Sequence, residues 1–186
     1  MKKIEIEIPD GKRAEWVNGV LTLVDDTPKD ITERIKTFED ACKELGNEHP
    51  FVKSYEKYVN ITSDEEDEEA DVIAYLKLRI IVAALNEGWK PQFTKNEQRW
   101  YPCFKLWTGK ELLDESYEWK DNKQHLISTD GYLGNYAAFI CSASYYICQD
   151  TAAYIGPYLC LKNKELAEYC GGQFISLWAD FCLIKK

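Results

Sequence analysis

One segment constrains this chain more than any other. Residues 70–87 contain Val72, Ile73, Leu76, Leu78, Ile80, Ile81, Val82 and Leu85, apolar on nearly every helical face. A helix at a protein surface shows a single apolar stripe, so one that is apolar all round must be enclosed by the rest of the fold. Gly88 supplies its end. The run is too short to cross a bilayer, so it is expected to be the core helix of a globular chain.

Other segments offer faces to cover it. Thr27-Pro28-Lys29-Asp30 combines a capping residue, a proline suited to the first turn and an acid at the positive helix end. Ile31, Ile35, Phe38, Cys42 and Leu45 then recur at helical spacing, and Gly46 closes the stripe. A shorter helix is expected from Pro50, with Phe51, Tyr55 and Tyr58 on one side. Near the C-terminus Asn163 can cap a helix carrying Leu166, Cys170, Phe174, Leu177 and Phe181. Gly171-Gly172 inside that stripe costs helix propensity, which predicts close packing there.

Strand signals occupy the remainder. Ile4-Glu5-Ile6-Glu7-Ile8 alternates until Pro9-Asp10-Gly11, and Val20-Leu21-Thr22-Leu23-Val24 follows Asn18-Gly19, so a small N-terminal antiparallel ribbon is expected. The stretches 89–93 and 99–107 are aromatic, broken by proline and strand-like, with a turn at Thr108-Gly109. Residues 110–130 are polar, 136–148 are rich in Ala, Ser, Tyr and Ile, and 154–161 read as a further strand around Gly156-Pro157. No repeat or Gly/Ser linker divides the chain. The expectation is a single globular α+β domain over 1–186. It has a helical N-terminal half with a small β-ribbon, an antiparallel sheet in the C-terminal half, and a C-terminal amphipathic helix packing back.

Charge narrows the partners. Thirty-two acidic against 23 basic residues leave a net charge of −9. Lys162, Lys164, Lys185 and Lys186 are the densest basic set, so neither duplex nucleic acid nor a membrane surface is an expected ligand. Six carboxylates in a row at 64–69 lack the glycine and ligand spacing of a calcium loop and read as a solvated segment. An apolar leader is not expected, because Met1-Lys2-Lys3 is followed by alternating Ile and Glu. A cytoplasmic setting then makes Cys42, Cys103, Cys141, Cys148, Cys160, Cys170 and Cys182 reduced thiols acting as small hydrophobes.

No catalytic, cofactor or metal signature emerges. His49 and His125 lie beside no nucleophile motif, Gly131-Tyr132-Leu133-Gly134 lacks the lysine of a phosphate loop, and the cysteines lack zinc spacing. The distinctive feature is aromatic: Trp89, Phe93, Trp100, Tyr101, Phe104 and Trp107, then Tyr132, Tyr136, Tyr145 and Tyr146. Aromatics dominate burial in small domains, so most are expected in the core, with Trp100 structural and Trp89 partly exposed. Trp89, Trp107, Tyr132 and Tyr136 are the candidate binding residues.

The segments 31–41, Leu85-Asn86-Glu87-Gly88-Trp89-Lys90-Pro91, Arg99-Trp100-Tyr101-Pro102, Leu159-Cys160-Leu161-Lys162, Glu165-Leu166-Ala167-Glu168-Tyr169 and Gly172-Gln173-Phe174 together resemble an uncharacterised family of small acidic proteins. That family is found in gut bacteria and in their phages and integrated elements. The resemblance spans nearly the whole chain, implies a mobile-element context, and supplies no activity, cofactor or site residue. The function expected is therefore a non-enzymatic cytosolic interaction protein, binding a protein partner or self-associating. The alternatives are a small hydrolase-type enzyme whose site is assembled from residues distant in sequence, or a module stacking single-stranded nucleic acid or glycan on its tryptophans.

Overall fold

The computed structural model describes residues 6–61, 69–113, 126–147 and 157–186, which belong to two compact units, Met1–Arg34 and Ile35–Lys186. The fold class is α+β, with two small antiparallel sheets among the helices. Among the described residues no helix is long and apolar enough to cross a membrane.

The first unit holds the ribbon. Strands β1 (Lys12–Val17) and β2 (Val20–Asp25) pair antiparallel, with Val17 opposite Val20 across Asn18-Gly19. Both turn residues have positive φ, 51° and 80°, the geometry of a two-residue type I′ hairpin for which Asn-Gly is the preferred pair. The alternating residues 6–8 are not a strand, and 4–5 lie outside the described residues. A tight turn pairs its immediate flanks, so β2 pairs with 12–17. The short helix α1 (Ile31–Arg34) ends the unit, its start held by Asp30 accepting from the Thr32 amide at 2.8 Å.

The second unit is built around α4 (Ala70–Leu85), as the sequence implies. Ala74, Leu78, Ile80, Ile81, Val82, Ala84 and Leu85 are all buried. Helices α2 (Phe38–Leu45), α3 (Pro50–Ile61) and α7 (Ile175–Cys182) pack on it. A three-stranded sheet of order β3 (Arg99–Trp107), β5 (Ala138–Ile147), β4 (Leu126–Ser128) lies beyond, with α6 (Lys164–Gln173) packed on β3 and β5. A short helix α5 (Gly109–Leu113) follows β3 where a plain turn was expected, because Thr108 caps it and Glu111 bonds back to the Thr108 amide at 2.8 Å.

Two helical stripes that read as continuous are broken. After α1 the chain leaves the helix at 35–37 and restarts at α2, because Thr37 and Asp40 form a capping box. The carbonyls exposed by that break are taken from α6: Tyr169 donates to Ile35 at 2.6 Å and Gln173 to Lys36 at 2.8 Å. The C-terminal stripe breaks at Phe174, where the Cys170 carbonyl accepts from both the Phe174 amide and the Trp178 indole. Gly171 explains its own helix penalty. A Cβ at that position would overlap the Cys141 sulfur and stand 2.8 Å from Pro102 Cβ, so α6 touches the sheet at backbone distance.

Segment 89–93 is irregular rather than a strand, and of the strand expected over 154–161 only Leu161 pairs, residues 154–156 lying outside the described residues. A 3₁₀ turn, Pro157–Leu159, precedes it. Leu161 exchanges both backbone bonds with Trp100, at 3.0 and 2.8 Å. Asn86 fixes the same segment, donating to the Cys160 carbonyl at 2.8 Å and accepting from the Lys162 amide at 3.0 Å.

Three variants test this packing. Leu78→Ala should cost about 2–5 kcal/mol in urea unfolding through lost transfer energy and a cavity, and half-buried Leu76→Ala should cost less. Gly171→Ala should destabilise by about 1–3 kcal/mol despite its better helix propensity, because the methyl group has no room. A Gly171→Ala protein as stable as wild type would contradict the close approach of α6 to the sheet.

Candidate functional site

The second unit contains a groove of about 780 Å³ with a mostly apolar lining. Its floor is the last turn of α4, with Val82, Ala83 and Asn86. One wall comes from the end of α2 and the start of α3, through Leu45, His49, Pro50 and Phe51. The other is the irregular segment 88–93, carrying Trp89, Lys90, Pro91 and Phe93, and Pro157 and Tyr158 complete the rim. A concave, largely apolar cleft of this size is within the ordinary range for ligand sites.

Each wall is held by local chemistry. After α4 the chain turns back sharply, with Glu87 and Gly88 both at positive φ and the Trp89 amide bonded to the Asn86 carbonyl at 2.9 Å. Phe93 also has positive φ, 55°, a strained conformation for an aromatic residue. The Glu97 carboxylate clamps it there, accepting from the Gln92 amide at 2.9 Å and the Phe93 amide at 2.8 Å. Behind Phe93 lies Arg99, fully buried, its guanidinium 4.3 Å from the ring centre. On the opposite wall Phe51 and Tyr158 meet edge to face at 5.5 Å, and the Arg79 guanidinium lies 4.2 and 4.5 Å from their centres. Two arginines thus back the aromatic walls by cation–π contact.

The polar groups are few. His49 precedes α3, and its Nδ1 accepts from the Phe51 amide at 3.3 Å, which places the ring proton of the neutral form on Nε2. Burial holds the His49 pKa below its ordinary 6.5, and the Lys90 ammonium pushes the same way. Asn86 spends its amide on the Cys160–Lys162 segment. Cys160 and Tyr101 pack against Trp89. Burial pushes the Cys160 thiol up to about 11 and the Tyr101 phenol to about 12. Among the described residues no three His, Cys, Asp or Glu side chains gather closely enough to hold a metal ion.

Of the four sequence candidates, only Trp89 lines this groove. It is partly buried. Trp107 is half-buried at the end of β3, opposite Ala138, and its carbonyl accepts from Ala137 at 2.7 Å. Tyr132 and Tyr136 belong to the adjoining 129–137 loop. The Tyr132 hydroxyl donates to Asp180 at 2.6 Å, and burial raises its pKa. Tyr136 is 47% exposed, with its carbonyl held by Thr129 Oγ1. None of these three lines the groove. Trp100 is half-buried, while Phe104 stacks on Phe139 and reaches Trp178. His125 and the acidic run 64–68 lie outside the described residues. Sequence reasoning missed His49, Lys90, Phe51 and Tyr158 as one constellation, because nothing local ties 49–51 to 89–93 and 158.

His49 makes folding depend on pH in a stated direction. The unfolded chain takes up a proton near pH 6.5 and the folded chain only below that, so stability is constant above this range and falls as the pH drops through it. The stability difference between wild type and His49→Asn, from urea unfolding, should shrink between pH 7.5 and pH 5. A difference independent of pH would contradict a neutral, half-buried His49.

Compared with known proteins, the chain matches no family model, no curated protein and no solved structure.

Proposed function

We propose that this chain is a cytoplasmic, non-enzymatic interaction protein whose groove takes an extended segment of a protein partner. The mobile-element setting implied by the sequence resemblance belongs to the same proposal, with the protein as an accessory factor of a phage or integrated element. The observation that carries the reading is the wall chemistry. Trp89, Phe93, Phe51 and Tyr158 alternate with Pro50, Pro91 and Pro157 around one cleft. Ring faces and proline edges favour an extended peptide presenting a proline or aromatic side chain, which loses little conformational entropy on docking.

Electrostatics refine the partner. Lys90 is the cation of the rim, exposed and in no ion pair among the described residues, within a chain of net charge −9. An acidic residue beside the anchoring side chain is therefore the charge this cleft attracts. The thiol packed against Trp89 supports binding over chemistry: with its pKa near 11, Cys160 stays protonated at neutral pH and is a weak nucleophile.

A peptide-display library panned against the purified chain should enrich sequences that join proline or an aromatic residue to Asp or Glu. Trp89→Ala and Lys90→Glu should each weaken the best peptide, the tryptophan by about 2 kcal/mol, roughly 30-fold. Lys90 is exposed, so Lys90→Glu tests the site in a protein that remains folded. No enrichment, or affinities unchanged in both variants, would overturn the reading.

A further inference from the structure

Strand β2 carries the sequence Val20-Leu21-Thr22-Leu23-Val24, which reads the same in both directions about Thr22. We propose that β2 pairs antiparallel with β2 of a second copy of this chain, about a two-fold axis at Thr22, joining two ribbons into a four-stranded sheet.

Among the described residues the outer edge of β2 is open. Among the described residues β2 pairs with β1 alone. Exposed sheet edges are normally blunted by charge, proline or a bulge. The β1 strand carries Lys12, Arg13 and Glu15, whereas β2 holds five uncharged residues, 20–24, without proline or glycine, and its one charge is the terminal Asp25. The hairpin register also points the right groups outward. Val17 faces Val20 across the turn, and the Asp26 amide bonds to the Gly11 carbonyl at 2.9 Å. Alternation between these two points turns the backbone groups of Val20, Thr22 and Val24 toward β1 and those of Leu21 and Leu23 toward the open edge.

Two-fold pairing about Thr22 then sets Leu21 against Leu23 of the second copy, and Leu23 against its Leu21, each pair exchanging two backbone bonds. Thr22 meets Thr22, a favourable cross-strand pair. The strand's own sequence thus matches it position by position, which favours a second copy over an unrelated strand.

Side chains favour the same assembly. Ala14, Trp16, Leu21 and Leu23 share one face of the ribbon, and Trp16 is 71%, Leu21 37% and Leu23 43% exposed. Of the fourteen large apolar side chains exposed among the described residues, seven lie between Ile6 and Leu23. A lone two-stranded ribbon is marginally stable, whereas four strands sharing an apolar face are not. Pairing β2 with β2 makes the two leucine rows continuous, with Ala14 and Trp16 flanking each side on the same face.

Charge at position 22 tests this on the full chain. Thr22 is exposed, so Thr22→Lys and Thr22→Glu leave folding intact, checked by far-UV circular dichroism. Sedimentation equilibrium should show wild type as a dimer that dissociates on dilution, and each variant alone should have its dissociation constant raised at least tenfold. An equimolar mixture of the two variants should recover the dimer as a Lys–Glu heterodimer, identified by native mass spectrometry. Wild type that stays monomeric at 500 µM would overturn the proposal and leave the edge to a different chain. Variants that dimerise as well as wild type, or a mixture that associates no better than its components, would overturn it too.

Discussion

One buried amide ties the second unit together. Asn86 lies at the end of the core helix, 5% exposed, and its side chain behaves as a piece of strand backbone. It gives a hydrogen bond to the Cys160 carbonyl and takes one from the Lys162 amide. Leu161, between those two residues, exchanges both of its backbone bonds with Trp100 on β3. The helix layer and the sheet are thus joined through three consecutive residues that belong to neither. Removing the amide would leave a donor and an acceptor buried without partners, a loss far beyond one ordinary hydrogen bond. The groove depends on the same residue, since the Trp89 wall hangs from the Asn86 carbonyl and the floor includes its side chain.

What could be read from the sequence, and what could not, follows from the range over which each signal acts. The all-apolar character of α4 is a property of its own residues, so its central burial was legible. The same holds for Asn163 as a cap, whose side chain accepts from the Leu166 amide three residues on, and for Gly171 as a contact point, whose helix penalty only packing explains. The breaks at 35–37 and at Phe174 were not legible. Apolar spacing continues smoothly through both, while the groups that stabilise them are side-chain donors that spacing does not reveal, Tyr169 and Gln173 from α6 for one and the Trp178 indole for the other. The hairpin was half legible: Asn18-Gly19 was in view, but the alternation of 4–8 drew attention away from 12–17, the segment that pairs with β2.

The candidate site was less legible than the fold. Tryptophan marks both cores and binding surfaces, so composition could gather Trp89, Trp107, Tyr132 and Tyr136 without sorting them. Tyr132 spends its hydroxyl on Asp180, and Trp107 lies within a sheet. Trp89 stands apart because it follows the sharp turn at Glu87-Gly88, which lifts the chain out of the helix and over the cleft. Charged residues ordinarily lie at the surface. Arg99 is instead fully buried against Phe93, and Arg79 sits on Phe51 and Tyr158. Guanidinium suits such positions because it is weakly hydrated and flat.

The Phe93 wall has a consequence for how this chain can change over time. Its positive φ is an uphill conformation, kept by the Glu97 carboxylate in front and the Arg99 plane behind. Neither support is useful without the strained residue, and the residue is not held without both. Effects of substitutions at positions in direct contact do not add. A glycine at 93 would relieve the strain and make the clamp idle, after which loss of Glu97 would be nearly neutral. The same loss in the present background would release the wall. Drift through 92–99 is therefore epistatic, and the order in which substitutions arrive decides whether the cleft keeps its shape.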